Sequence, residues 1–293
     1  MLCSYPIVRG PEKIHGCGQC LSCRVNQSRK WALRVVLEQR ISVQTFFVTL
    51  TYDEEHVPYR LSKRHVQLWL KQMRNYGYKF RYYACGEYGS KTRRPHYHAM
   101  LYFKSRPNLD ILRVDIARAW TRGFSSVRSV DGGATARYVS KYVTKKATIE
   151  WDAQKPEWHL SSRSPGLGYE GVAAICESLL HYKYFHQCDD VPGEMEVDGK
   201  KYPIDSYLKK HMRLYMEKEY GLVCDTRTAA RRTAERLEEL FIDYKNARMA
   251  GEKLGSVHPE YGIYADFSRP ITDKYANKRA RFVKSITSRQ TQL

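Results

Sequence analysis

Between residues 22 and 147 the apolar positions switch repeatedly between a spacing near 3.6 and a spacing of two, the two periods that distinguish helices from half-buried strands. SCRVNQSRKWALRVVLEQRISV, residues 22–43, sets Ala32, Val35, Val36 and Gln39 along one face with arginines elsewhere, and predicts a helix whose basic side is free to meet phosphate. QTFFVTLTY, residues 44–52, alternates: Phe46, Val48, Leu50 and Tyr52 point one way, Phe47, Thr49 and Thr51 the other, as in a strand. DEEHVPYRLS reads as a loop whose Ser62 caps a second helix, with Val66, Trp69, Leu70 and Met73 as its apolar stripe and Gly77 as its stop. KFRYYACGE (79–87) and HYHAMLYF (96–103) predict two more strands, joined by the polar, basic YGSKTRRP. Asn108 caps a helix carrying Leu109, Leu112, Ile116 and Trp120, Gly123 closes it, and FSSVRSV follows as a fourth strand. After the turn DGG, ATARYVSKYVTKKA places Ala136, Val139, Ser140, Val143 and Ala147 at helical spacing.

The order strand, helix, strand, strand, helix, strand, helix is the split βαβ arrangement of ferredoxin-like folds with one helix added. The expected class is α+β: an antiparallel sheet with helices, followed by a mainly helical C-terminal extension. Past residue 150 the periodicity weakens. SSRSPGLGYEG is a loop rich in Gly, Ser and Pro, MEVDGKKYPI a hairpin around Asp198 and Gly199, and residues 206–249 read as helices. The closing ANKRARFVKSITSRQTQL is a basic tail suited to lie on nucleic acid. The expected division is residues 1–30 as a cysteine-rich segment leading into the basic helix, 31–150 as the core, and 151–293 as the extension.

Charge changes this picture most. Fifty Lys and Arg against 31 Asp and Glu leave a formal charge of +19, a field that attracts phosphate backbones or anionic membranes, with nucleic acid the better fit. MLCSYPIVRGPEK lacks the apolar stretch of a signal peptide, and no stretch approaches the roughly 18 apolar residues of a membrane span, so a cytosolic protein without membrane attachment is expected. Eight cysteines, unevenly spread, are too few for a secreted disulfide scaffold of this size and point to a reducing compartment. No G-x₄-G-K-[ST] loop is present, so no nucleotide cofactor is expected.

Three clusters carry candidate chemistry. In RRPHYHAMLYF, His96 and His98 share one face of a strand while Tyr97, Ala99, Leu101 and Phe103 line the other. A pair of partly exposed histidines on an open sheet face is the plain reading. Glu87, ending the preceding strand, changes it: in a hairpin it lies beside the pair, and two imidazoles with one carboxylate leave positions on a divalent ion open for water or a phosphoryl oxygen. Gln67, His65 and His56 stay open as alternatives for the third donor. In YVSKY, Tyr138 and Tyr142 are four apart on a helix with Lys141 within a turn of both; a phenol of ordinary pKa about 10 needs such help to become a nucleophile, and a packed aromatic helix edge is the alternative. In CGQCLSC, Cys17, Cys20 and Cys23 converge readily on one zinc ion, with Cys3 or His15 as fourth ligand; three reduced thiols in a loop are the alternative.

Taken together, FVTLTY, GEYG, RPHYHAMLYF and RYVSKYVTKK, in this order, resemble the motifs of HUH endonucleases, the His-hydrophobic-His enzymes with tyrosine nucleophiles that start rolling-circle replication. The two-tyrosine form, with CGQCLSCR and SRSPGLG, is similar to the replication initiators of Microviridae, most closely the gokushovirus group, over residues 1 to about 170. The resemblance implies that Glu87, His96 and His98 hold Mg²⁺ or Mn²⁺, that Tyr138 and Tyr142 are alternating nucleophiles, and that Lys141 stabilises charge. It further implies a single-stranded or supercoiled viral origin as partner, gripped by Lys91, Arg93, Arg94, Lys145 and Lys146, with helicase and polymerase supplied by the host, in the cytoplasm of an infected bacterium. A plasmid relaxase or transposase of the same superfamily, or a zinc-containing nucleic-acid-binding regulator without catalysis, are the competing readings.

Overall fold

The computed structural model describes residues 7–8, 14–15, 21–89, 92–130, 158–186, 189–226 and 228. They fall into two compact units. One comprises Trp31–Val172 with Asp198–Lys200; the other Met1–Lys30, Ala173–Val197 and Lys201–Leu293. The elements are β1 (Ile7–Val8), β2 (Ile14–His15), α1 (Leu21–Arg40), β3 (Gln44–Tyr52), α2 (Lys63–Asn75), β4 (Arg81–Tyr88), β5 (Pro95–Phe103), α3 (Leu109–Ala119), β6 (Gly123–Ser129), β7 (Trp158–Ser161), α4 (Val172–His181), β8 (Glu194–Val197), β9 (Lys200–Pro203) and α5 (Ser206–Tyr220).

The first unit is built on a five-stranded sheet in the order β6-β3-β5-β4-β7, every neighbouring pair antiparallel. Its first four strands have the split βαβ order, so the expected α+β class is the one observed. The period-two pattern sorts the two faces. Phe46, Val48, Leu50, Tyr52, Tyr97, Ala99, Leu101 and Phe103 form the core with Val66, Trp69, Leu70 and Met73 of α2 and Leu112 and Ile116 of α3. On the other face Phe47, Tyr83, Cys85, Met100 and Tyr102 pack with Val35 of α1 and Leu167. The fifth strand, β7, was not anticipated: four residues are too few to display a period, and its Trp158 joins the core only through the long-range pairing with β4.

Several local expectations are corrected. The basic side of α1 is not open: Ala32 through Glu38 are all buried, Arg34 included. Glu38, fully buried, accepts from Arg81 Nε at 2.5 Å and from Gly168 N at 2.8 Å, while Arg81 Nη2 donates to Pro165 O at 2.9 Å. The SRSPGLG loop is thereby fastened onto α1 by a charged pair that the loop's own backbone completes. Ser62 occupies the N-cap of α2 without a side-chain cap bond; its backbone N–H donates instead to the Tyr97 hydroxyl at 2.9 Å. Asn108 caps α3 as expected, accepting from Asp110 N and Ile111 N. Gly123 does not close α3, which ends at Ala119. It opens β6 at φ +140°, where a Cβ would lie 2.3 Å from Asp53 N and 2.6 Å from Thr51 O.

In the second unit α4 and α5 carry the apolar packing, with Cys176, Leu208, Met212 and Met216 fully buried. Asp205 caps α5 by accepting from Leu208 N. Asp190 takes a two-pronged bond from Arg213, 2.7 and 2.6 Å. Burial alone would push the Asp190 carboxyl up, but the Arg213 guanidinium outweighs it and holds it below the usual range. The expected hairpin is present as β8–β9, with Asp198 and Gly199 both at positive φ. Among the described residues no helix is long and apolar enough to cross a membrane.

Candidate metal centre

Register brings the three candidate donors together. Glu87 on β4 is the direct partner of His96 on β5, and Cys85 of His98, so Glu87, His96 and His98 project from the same face of a strand pair. One donor atom from each lies within 4.8 Å of those of the other two. His96 Nε2 stands 3.8 Å from Glu87 Oε2, and the two imidazoles meet edge to face with centroids 5.0 Å apart. Glu87 is only 2% exposed and His98 8%, so a charged group here is largely withdrawn from water. The face is therefore not open along its whole length.

The backs of the imidazoles are held. His96 Nδ1 lies 3.3 Å from the Arg94 carbonyl oxygen, which can only accept, so the proton sits on Nδ1 and Nε2 is left with its lone pair facing Glu87. His98 Nδ1 lies 3.1 Å from Thr49 Oγ1, its cross-strand partner on β3, and Phe47 stacks on the His98 ring at 5.2 Å. Cys85 Sγ is 3.9 Å from Glu87 Oε1. Imidazoles tied at one nitrogen to a carbonyl or hydroxyl oxygen are the usual setting of metal-ligating histidines. One carboxylate oxygen with two imidazole nitrogens suits a divalent cation that keeps open positions.

The alternative third donors lie elsewhere. His65 is on α2, against the opposite face, with Nδ1 2.5 Å from the Tyr52 hydroxyl; burial and the positive field of Arg122 lower its pKa. Gln67 is exposed on the same helix, and His56 is bonded to Asp53 at 2.7 Å. On that opposite face the Tyr97 hydroxyl sits 2.7 Å from that of Tyr52. Burial pushes both phenols up, so neither serves as a nucleophile at neutral pH. Together with the bond from Ser62 N, Tyr97 fixes the strand segment between the two histidines from behind.

Tyr138, Lys141, Tyr142, Lys145, Lys146 and Lys91 lie outside the described residues, as do Cys3, Cys17 and Cys20. Cys23 is in α1 and partly buried. Arg93, at φ +55°, places its guanidinium 5.2 Å over the Tyr88 ring. Arg94 is engaged by Glu54 and donates to Tyr52 O at 3.0 Å. Sequence reasoning did not single out Thr49, Cys85 or the Tyr52–Tyr97 pair for the site: each matters through cross-strand register, which no local spacing carries.

Fold and site together define an antiparallel α+β protein with a His/Glu cluster, a candidate metal site, on one face of its sheet. Residues 45–147, which contain that cluster, belong to the replication-associated protein ORF2 family, whose model they match. The chain is 26% identical over 234 residues to replication-associated protein ORF2 of Spiroplasma virus 4, covering 70% of each chain. It is 28% identical over 225 residues to replication-associated protein VP4 of Bdellovibrio phage phiMH2K, covering 69% of this chain and 70% of that one. Among solved structures, hypothetical protein ORF119 of Sulfolobus islandicus rod-shaped virus 1 is similar at a TM-score of 0.31 and 15% identity, over 41% of this chain and 98% of that one.

Proposed function

We propose that the chain initiates rolling-circle replication of a small single-stranded DNA phage, nicking and rejoining one strand at the viral origin through a covalent 5′-phosphotyrosine. The observation that carries this reading is the meeting of Glu87, His96 and His98 on one sheet face inside the replication-associated segment. A divalent cation, Mg²⁺ or Mn²⁺, supplies Lewis-acid polarisation of a phosphate oxygen when bound there. Tyr138 or Tyr142 gives its phenolic oxygen to the phosphorus, and its proton leaves to solvent or a neighbouring base. The bond to the 3′ oxygen breaks, leaving a 3′ hydroxyl for a host polymerase and the 5′ end on tyrosine. Lys141 stabilises the developing phenolate. After one round the second tyrosine attacks the regenerated origin, and the freed 3′ hydroxyl attacks the first phosphotyrosine to close the circle. One phosphodiester is exchanged for another at each step, so no ATP is consumed.

Lys91, Arg93, Arg94, Lys145 and Lys146 grip the DNA backbone. A host helicase opens the duplex, and the reaction takes place in the cytoplasm of the infected bacterium. Cys17, Cys20 and Cys23, with Cys3 or His15, hold one zinc ion that pins the segment before α1.

The test is a labelled single-stranded origin oligonucleotide incubated with Mg²⁺ or Mn²⁺ and resolved on denaturing gels. His96→Ala and His98→Ala should abolish nicking while single-strand affinity stays within about tenfold, because the ion acts on the phosphoryl group more than on affinity. Nicking by either variant at the unsubstituted rate removes the metal assignment.

A further inference from the structure

Four residues form one transverse row on the face that carries the candidate metal centre. Phe124 of β6 is the register partner of Thr51 on β3, Thr51 of His96 on β5, and His96 of Glu87 on β4. With neighbouring strands about 4.8 Å apart, Phe124 stands about 10 Å across the sheet from His96. Between them this face bears only short hydroxyl side chains, Thr51 and Thr49 on β3 and Ser126 on β6. An aromatic ring thus rises on one side of a low floor and two imidazoles on the other.

Phe124 is 70% exposed, although the same strand turns Val127 into the core on its opposite face. Ser126 and Arg128, on its own face, are exposed too. Among the described residues β6 pairs only with β3, so the row opens at an edge of the sheet. A large exposed aromatic contributes nothing to burial here. It does present a π-face in line with the metal donors, with a guanidinium four residues along the same strand face, in a chain of charge +19. A single strand needs these two things: rings on which unpaired bases stack, and cations that follow its phosphates.

We propose that Phe124 is a stacking platform for a base adjacent to the phosphate held at Glu87, His96 and His98, with Arg128 pairing with the DNA backbone beside it. The choice of single-stranded DNA as occupant rests on the initiator reading above. Because every base has a π-face, this contact tolerates sequence: it positions the strand over the donors without reading the origin.

The test compares binding of a fluorescein-labelled oligothymidylate and of an abasic oligonucleotide of equal length to the full-length protein, by anisotropy without divalent metal. Phe124→Ala should weaken oligothymidylate binding roughly tenfold, the loss of one base–aromatic stack, and leave the abasic strand unchanged. Phe124→Trp should bind both as the unsubstituted protein does. The alanine variant should also melt at the unsubstituted temperature, since the ring is outside the core. Unchanged oligothymidylate affinity, or equal losses on both strands, overturns the proposal. So does a fall in oligomeric state with DNA affinity kept, which would assign the ring to contact between copies. The initiator reading is scored separately, by covalent adduct. An adduct-forming protein whose Phe124→Ala variant binds normally overturns the stacking platform alone. Base-dependent binding lost in that variant, in a protein that forms no adduct, upholds the platform and overturns the initiator.

Discussion

At the scale of single residues, chemistry here depends on what stands behind each donor as much as on the donor. His96 and His98 were legible in the sequence because two histidines two apart in a strand must share a face, and Glu87 because it ends the strand that a short loop returns from. Thr49 was not. It lies 49 positions from His98 and meets Nδ1 at 3.1 Å only because β3 and β5 pair in one register out of several. Thr49→Val keeps the side-chain volume but removes this partner, freeing the His98 ring to turn and to change tautomer. Its expected cost is about 10- to 100-fold in metal affinity or nicking rate, read from nicking against Mn²⁺ concentration. An effect under about twofold would show that Thr49 does not orient His98. Phe124 escaped notice for the same reason: its alignment with His96 runs through two strand pairings.

Individual elements were legible in proportion to their length and regularity. β3 runs from Gln44 to Tyr52, as its alternation indicates, and α2 and α3 carry the stripes read for them. α1 misled because its arginines suggested a wet side, whereas Arg34 and Glu38 are buried and Glu38 is matched by Arg81, a residue 43 positions away. Gly123 was read as a helix stop, yet its backbone conformation is demanded by the crossing with β3. Gly123→Ala should therefore destabilise by at least about 2 kcal/mol, from positive-φ strain together with the clash at Asp53 N; a melting temperature within error of the unsubstituted protein contradicts this. In the second unit the Asp190–Arg213 pair sets a pH dependence. The Asp190 carboxyl has a folded pKa below its unfolded one. Its contribution is therefore present above the unfolded value of about 3.9 and lost as pH falls through the lower folded value. Asp190→Asn should cost about 2 kcal/mol at neutral pH, and the difference from the unsubstituted protein should vanish in acid. A constant difference down to the acid end of a denaturation series would remove the pair from the account.

At the scale of the whole molecule, the positive field, the sheet-borne donors and a predicted helix with two tyrosines form one proposed machine. The field gathers DNA, the donors hold a phosphate, and the tyrosines exchange it. The excess of basic residues was legible at once, being a sum over positions that needs no fold. The donor cluster needed the hairpin of β4 and β5 to form, and the pattern foretold it. The central claim is that the chemistry passes through Tyr138 and Tyr142. It is tested by incubating radiolabelled origin DNA with divalent metal and each of Tyr138→Phe, Tyr142→Phe and the double variant, then separating covalent adduct and ligated circles on denaturing gels. The account predicts adduct from the unsubstituted protein and from at least one single variant, circle release much reduced in both single variants, and no adduct at all from the double variant. Adduct from the double variant, or full circle release from both single variants, would contradict it.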